Sequence, residues 1–402
     1  MERLLTLVEP VVIINKLGTS FFEMSLTLTV YNVSLETADG QVDQAQAASS
    51  RFFLIHSIIC TVAAMLSTVP LGRVADRRGP KVFLIMSQLG SVMGMCVLLV
   101  FLFWKLPLEF LFLGSAVYGL SGGAPAYWAG VVALAALSSK QRHRTLKLNV
   151  PLLLFAGVLG GLLSGYVYQI GHKGVVLIGM AISFSVVSLL YSTFLLSGSV
   201  QNSEDKELLL SRAGRSERTN RAAVGLLISA MVLFMLGMIG AENILTLYVL
   251  KPPLSWDSVW AGYGRAATDA MYLSSFLGVL ALSGVLGDTA LTLLGIVSNC
   301  TGMAIMAFTM KSGVTTSSLC FHFHCFYRKP NRLRRAGPFI ETECCVCILG
   351  RIFGRLQLVL AVTELLSTVI FTSIYPLTLN SFSGLCFLLS CTISYLSVIP
   401  VL

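Results

Sequence analysis

Six ionisable side chains fall inside long apolar stretches of the chain: Lys16, Glu23, Glu242, Arg265, Asp269 and Glu364. A charge surrounded by hydrocarbon has to be paired, hydrated or neutralised, because the surroundings do not solvate it. Such groups are therefore candidates for binding charged solutes or protons. Each can also be a structural group that only satisfies a neighbour.

Arg265 and Asp269 are four residues apart, which places them on one face of a helix and predicts an ion pair between them. One interpretation is a self-neutralising structural pair, since a buried charge needs a partner whether or not it does chemistry. The functional interpretation is that Arg265 binds a carboxylate of an anionic substrate through its planar guanidinium, while Asp269 restrains it or titrates with it.

Glu242 has no cation one helical turn away in the sequence. A low dielectric favours the neutral carboxylic acid, so Glu242 is a candidate proton carrier, and Glu364 is a second. The alternative is a hydrogen-bonded structural glutamate or one wetted at the membrane interface. Lys16 and Glu23, two helical turns apart, have the same ambiguity.

Tyr127 and Trp128 follow a patch of small residues at 119–123. Together with a second patch at 157–161, it permits helices to cross closely. The two aromatic rings can stack on a planar ligand or fill the helical bundle. Both remain candidate substrate-binding residues.

The composition predicts an all-α membrane protein. Of the 402 residues, 55% are hydrophobic and 12% are charged, against about 25% charged residues in soluble domains. Apolar runs near the length of about 20 residues that spans a bilayer predict twelve helices. They lie near 8–30, 51–71, 81–104, 109–137, 149–170, 175–197, 223–249, 258–284, 289–310, 313–327, 353–376 and 381–402. The first run is too long for the core of a cleaved signal peptide, so we expect it to be retained.

A charged segment at 198–222 separates two sets of six predicted helices, at 1–197 and 223–402. Lys and Arg concentrate in the loops on one side, which predicts that the linker and both termini are cytoplasmic. The first opposite loop, 32–50, has three acidic residues and neither Lys nor Arg. It begins with the sequon Asn32-Val33-Ser34, which predicts glycosylation of Asn32 on the outer face.

The segment from Gly72 to Lys81 reads G-x-x-x-D-R-x-G-x-K, with Gly72, Asp76, Arg77 and Gly79 at its marked positions. It resembles the signature loop of the major facilitator superfamily. The resemblance implies a tight turn in which Gly72 permits two helices to approach, Asp76 faces a helix N-terminus, and the basic residues stay cytoplasmic. A weaker echo at 284–288 indicates two six-helix halves built from one pattern.

Several strings resemble solute carrier family 46: Val8–Pro10, Tyr127–Leu134, Gly240–Tyr248, Leu254–Asp257, Gly262–Gly264 and Thr372–Asn380. The likeness covers nearly the whole chain, and 130–148 and 274–280 are most similar to the family's thymic stromal branch. It implies secondary active, proton-coupled transport of organic anions by alternating access. The implied substrates are methotrexate-like or folate-like compounds, or muropeptides.

The chain departs from the family's folate branch at two positions. Asn149 or Val150 stands in place of a fifth-helix glutamate, and Met238 in place of a seventh-helix histidine. Any proton carrier here must therefore be a different group, and Glu242 is the candidate.

The tenth predicted helix differs in sequence from the apolar tenth helix of the family that this chain resembles. Residues 313–327 are few for a span, and Cys320, His322, His324 and Cys325 lie in or beside them. A zinc site is one interpretation, but the spacing matches no standard finger. A frame-shifted or mis-spliced segment at 313–350 is the other, and we expect neither a metal nor a cofactor. The competing function is accordingly a non-transporting receptor or scaffold, or a defective carrier isoform.

The formal net charge of +9 comes from dispersed basic residues, which is typical of cytoplasmic loops rather than of a nucleic-acid interface. We find no nucleotide-binding loop or nucleophile motif, so we do not expect an enzyme. The expected partners are a small organic anion, protons and the lipid bilayer. The plasma membrane is the expected location, although Glu204–Leu209 resembles an acidic dileucine signal for endosomes and lysosomes.

Overall fold

The structure, a computed structural model, describes residues 9–104, 106–137, 142–170, 174–196, 221–251, 254–282, 287–308, 346–379, 382 and 384–400. Within these ranges the chain is helical and contains no strand, which confirms the predicted all-α class. The predicted tenth helix, the Cys- and His-rich segment up to Cys345, and most of the predicted linker lie outside the described residues.

Twelve α-helices lie in the described ranges. They are α1 (Glu9–Thr37), α2 (Val42–Arg78), α3 (Lys81–Trp104), α4 (Leu111–Leu120), α5 (Gly123–Leu137), α6 (Arg142–Ile170), α7 (Val175–Leu190), α8 (Arg221–Leu250), α9 (Ser258–Leu282), α10 (Asp288–Ala307), α11 (Val346–Thr378) and α12 (Leu385–Leu396). Among the described residues, seven of these helices are long and apolar enough to cross a membrane.

The span predicted as one helix at 109–137 is interrupted, and that prediction is wrong at its middle. Gly122 and Gly123 have φ of 100° and 56°, a backbone region that suits glycine because it lacks a Cβ. Two helices, α4 and α5, therefore take the place of the single predicted one.

The signature segment is mostly helical rather than a ten-residue turn. Helix α2 continues through Gly72, Asp76 and Arg77 to Arg78, so the turn is reduced to Gly79 and Pro80. Gly79 has φ 92° and donates its N–H to the carbonyl of Ala75 at 2.8 Å. The side chains of Asp76 and Arg77 lie outside the described set.

The close helix approach expected at Gly72 does not form among the described residues, because a Cβ there would meet no described atom within 4 Å. Lys81, at the end of the signature, does have a clear role. Its ammonium group donates to the carbonyls of Thr193 and Leu196 at 2.9 and 2.7 Å. A cation there stabilises the C-terminal end of the turn that follows α7.

The first predicted loop is also shorter than expected. Because α1 ends at Thr37 and α2 begins at Val42, Asn32 lies within α1 rather than in a loop at 32–50. The Asn32 side chain is exposed and donates to the Tyr168 hydroxyl at 3.1 Å. Glycosylation of Asn32 stays a prediction.

The two parts of the chain meet mainly where α6 packs on α9 and α2 packs on α11. Near the start of α2, Gln46 donates to the Leu247 carbonyl at 2.7 Å and accepts from Tyr375 at 2.8 Å. An ion pair of 2.8 Å joins Asp43 to Lys251 at the same end. Helix α2 is thus tied to α8 and α11 at this end of the bundle.

Candidate functional site: charged groups between α1, α6 and α9

The backbone of α6 lies against both helices that carry the central charges. A Cβ on Gly157 or Gly161 would collide with Asp269 or Ala266 of α9, and one on Gly160 would collide with Ser20 of α1. Glycine at these three positions therefore lets α6 pack closely against α1 and α9. Because these glycines have no side chains, long side chains of α1 and α9 can reach one another past α6.

Lys16 of α1 forms an ion pair with Asp269 of α9, with 3.0 Å between Nζ and Oδ1. The Lys16 side chain is 24% exposed and that of Asp269 is 7% exposed. The other carboxylate oxygen, Oδ2, is buried without a hydrogen-bond partner among the described atoms. Asp269 consequently depends on Lys16 for compensation of its charge.

Arg265 forms an ion pair with Glu23 of α1, in which its Nη2 atom donates a hydrogen bond to Oε2 of that carboxylate. Both side chains are more open than the first pair, with 35% of Arg265 and 47% of Glu23 exposed. We call Lys16, Glu23, Arg265 and Asp269 the charged cluster.

The predicted ion pair between Arg265 and Asp269 is wrong, because each of them pairs with α1 instead. Lys16 and Glu23 are seven residues apart, about 10 Å along a helix, and lie on one face. Since α1 presents opposite charges at this spacing, both charges of α9 find partners across the helix boundary. The sequence singled out Lys16 and Glu23 but not this pairing. The available signal was that a cation precedes an acid on both helices, Lys16 before Glu23 and Arg265 before Asp269.

Glu242 of α8 is next to the charged cluster. It accepts a hydrogen bond from the Tyr272 hydroxyl of α9 at Oε1. It also interacts electrostatically with Arg265, Asp269 and Lys16. The structure thus brings Glu242 to the same site and gives it a hydrogen-bonding partner that sequence did not reveal.

Glu364 of α11 has an exposed side chain and takes part in none of the ion pairs among the described residues. It interacts electrostatically with Glu23. One turn further along α11, Thr368 accepts a hydrogen bond from the Asn243 amide at 2.9 Å. Glu364 therefore faces the same region from the opposite part of the chain.

Tyr127 and Trp128 are in different environments. Tyr127 is 7% exposed and packs in a core with Val11, Val12 and Leu84, whereas Trp128 is 39% exposed. Their ring centroids are 5.5 Å apart in a T-shaped contact. The burial of Tyr127 favours bundle filling, and Trp128 has the more accessible ring.

Within the described ranges, no group of three or more His, Cys, Asp or Glu side chains is arranged to hold a metal ion. The Cys and His residues that suggested a zinc site fall outside those ranges. The described site consists of two ion pairs and the neighbouring carboxyl groups of Glu242 and Glu364.

Comparison with known proteins gives relatives over nearly the whole chain, although no family model matches. Solute carrier family 46 member 2 from Canis lupus familiaris is 29% identical and covers 98% of this chain and 92% of its own length. The proton-coupled folate transporter of Rattus norvegicus is 26% identical and covers 92% of this chain and 82% of its own length. A lysosomal proton-coupled steroid conjugate and bile acid symporter of Mus musculus is 27% identical and covers 87% of this chain and 78% of its own length.

Solved structures share the fold. A D-xylose-proton symporter matches with a TM-score of 0.63 at 13% identity, covering 97% of this chain and 96% of its own. The human organic anion transporter MFSD10 also matches with a TM-score of 0.63 at 12% identity, covering 100% of this chain and 99% of its own. These two proteins are transporters with a major facilitator superfamily fold, and the relatives are transporters rather than enzymes. The chain is thus a membrane protein with this fold and a relative of solute carrier family 46.

Proposed function

We propose that the chain is a secondary active transporter that carries organic anions together with protons by alternating access between its 1–197 and 223–402 halves. The observation that carries the proposal is the charged cluster, in which two side chains of α1 pair with two of α9. Ionisable groups within a membrane bundle typically lie along a solute or proton pathway. Pairs that link two parts of a chain can also be exchanged when those parts move.

Arg265 is proposed as the group that binds the substrate's acid, because its side chain is 35% exposed and its present partner is a carboxylate. Asp269 and Lys16 form the adjacent, more buried ion pair and are proposed to position Arg265. Trp128 offers a planar surface for a ring system, while Tyr127 supports it from the core. Glu242, bonded to Tyr272, and the exposed Glu364 are proposed as proton-coupling groups.

The proposed substrate class is methotrexate-like and folate-like compounds or muropeptides. The named activities of the relatives, a proton-coupled folate transporter and a proton-coupled steroid conjugate and bile acid symporter, support bulky organic anions. We propose the plasma membrane as the location. The lysosomal relative keeps the endosomal or lysosomal membrane as the alternative.

The test is uptake of labelled methotrexate and of a labelled muropeptide by cells expressing the chain, at acidic and neutral outside pH, normalised to surface protein. The proposal predicts acid-stimulated uptake that Glu242→Gln abolishes and Arg265→Ala weakens. Normal surface expression without uptake of either compound would contradict it and favour a receptor or scaffold.

The sequence of residues 313–350 favours one further control. If this segment makes the chain a defective carrier, its replacement by an apolar helix of the kind found in the relatives should restore uptake to a silent chain. A transporter that is active as it stands should show no such gain.

A further inference from the structure

The charged cluster is electrically balanced, since it contains two cations and two carboxylates that are paired one to one. An organic anion that enters would add an uncompensated negative charge, which is costly inside a membrane bundle. Binding therefore requires either a second cation or the neutralisation of one carboxylate. This requirement rests on the proposed transport of organic anions.

Of the two carboxylates, Glu23 is the one that a proton can reach. Its side chain is 47% exposed, whereas that of Asp269 is 7% exposed. Its partner Arg265 is also the more open of the two cations, at 35% against 24% for Lys16. The accessible pair thus joins the residue best suited to bind an acidic group with the carboxylate best placed to be protonated.

We propose that Glu23 exchanges places with the substrate's acidic group on Arg265. A proton from solvent neutralises the Glu23 carboxylate, the ion pair between Glu23 and Arg265 breaks, and a carboxylate of the substrate forms the new pair with Arg265. One proton and one anionic group enter together, and the charge of the cluster is unchanged. On release, the Glu23 proton returns to solvent, and the ionised Glu23 carboxylate displaces the anion from Arg265.

The groups around Glu23 fit this exchange. Beyond Arg265 on α9, Glu23 interacts electrostatically with Tyr118 on α4 and Glu364 on α11. Glu364 therefore places a second acidic side chain near Glu23. Three of the described helices pack directly against α1. Helix α2 carries Asp43, Arg51, His56 and Cys60 in its first half, α6 carries Tyr166 and Tyr168 near its end, and α7 carries no ionisable side chain.

The experiment measures equilibrium binding of labelled methotrexate to the purified full chain at acidic and neutral pH. In the wild type, the exchange predicts that Kd falls by at most about tenfold for each unit of pH decrease, as expected for one linked proton. Glu23→Gln removes the competitor, so it should bind at neutral pH as tightly as the wild type does in acid. Arg265→Ala should bind weakly at both pH values.

Two matched variants separate the exchange from a structural effect. Glu36→Gln makes the same chemical change at an exposed position near the end of α1 and should leave the pH dependence of Kd as in the wild type. Glu23→Asp retains an acid and should restore a pH dependence that Glu23→Gln removes, which shows that the site remains folded.

The outcomes distinguish this proposal from the proposed function. If Glu23→Gln keeps the wild-type pH dependence while the wild type transports methotrexate, the exchange at Glu23 is wrong and the transport function stands. If the wild type neither binds nor transports methotrexate or the muropeptide, the proposed function fails and this exchange fails with it.

Discussion

Lys16 of α1 and Asp269 of α9 form a 3.0 Å ion pair between the two parts of the chain, and the Asp269 Oδ2 atom has no further hydrogen-bond partner among the described atoms. Neither charge is well solvated, since the side chains are 24% and 7% exposed. Each residue is therefore the ion-pair partner of the other among the described side chains. This mutual dependence makes the pair measurable by mutation.

We predict that Lys16→Met and Asp269→Asn each lower the free energy of unfolding by about 1–3 kcal/mol, because each leaves a charged partner in a poorly solvated place. The double variant should lose clearly less than the sum of the two, since it leaves no unpaired charge. Thermal unfolding of the purified protein in detergent measures all three. Additive losses would show that the pair contributes no coupling.

Gly157 of α6 offers a second way to disturb the same pair. A Cβ there would lie 2.6 Å from the Asp269 Cγ atom and 2.7 and 2.8 Å from its two carboxylate oxygens. We predict that Gly157→Ala displaces Asp269 from Lys16, destabilises the protein by about 1–3 kcal/mol as overpacking does, and reduces uptake.

The matched control for this variant is Gly179→Ala on α7, where a Cβ would meet nothing within 4 Å. Alanine favours a helix over glycine by about 1 kcal/mol, so this control should keep or raise stability with unchanged uptake. Equal losses in both variants would mean that the effect of Gly157→Ala comes from the helix and not from Asp269.

Much of the fold was predictable from sequence, because apolar runs long enough to span a bilayer leave little choice except a helix. The predicted bounds of the third helix, 81–104, agree with α3 (Lys81–Trp104). Polar residues at helix ends were assigned to loops too readily, as at the ends of α1 and α2. In a long helix, hydropathy reports where the lipid ends and not where the helix ends.

The site was predictable as a set of residues but not as a set of pairs. Arg265 and Asp269, four positions apart, were predicted to pair with each other on one helix, whereas the structure gives each a partner on α1. A single sequence gives the order of charges along each helix but does not state which helices are adjacent. The Tyr272 hydroxyl on Glu242 was missed for the same reason.

Gln46 holds the end of the bundle near the start of α2. It is fully buried and links the Leu247 carbonyl to the Tyr375 hydroxyl. We predict that Gln46→Leu lowers stability by about 1–3 kcal/mol, because it leaves two buried polar groups unsatisfied. Hydrogen exchange at the amides of residues 42–50 should accelerate, since this end of the bundle opens more often.

The comparison for Gln46 is Asp43, which pairs with Lys251 at the same end but has a side chain that is 51% exposed. Its partner Lys251 is 15% exposed but keeps a second hydrogen bond, to the Leu379 carbonyl at 2.7 Å. Asp43→Asn should therefore change exchange at residues 42–50 far less. A larger effect of Asp43→Asn would reassign the stabilisation of this end to the ion pair.

The two adjacent aromatic residues of α5 should separate packing from binding. Tyr127 is 7% exposed in a core, so Tyr127→Ala should destabilise the protein by about 3–5 kcal/mol, as large-to-small core changes do. Trp128 is 39% exposed, and Trp128→Ala should change stability little.

If Trp128 presents its ring to the substrate, Trp128→Ala should raise the Kd for labelled methotrexate by roughly three- to tenfold, the range expected for loss of an aromatic contact of about 0.5–1.5 kcal/mol. Trp128→Phe retains an aromatic face and should recover most of the affinity. Unchanged affinity in a stable Trp128→Ala protein would remove Trp128 from the binding site, because a ring that stacks on the ligand cannot be deleted without effect. Binding is then assigned to the charged cluster alone, since Tyr127 is enclosed by its neighbours on α1 and α3.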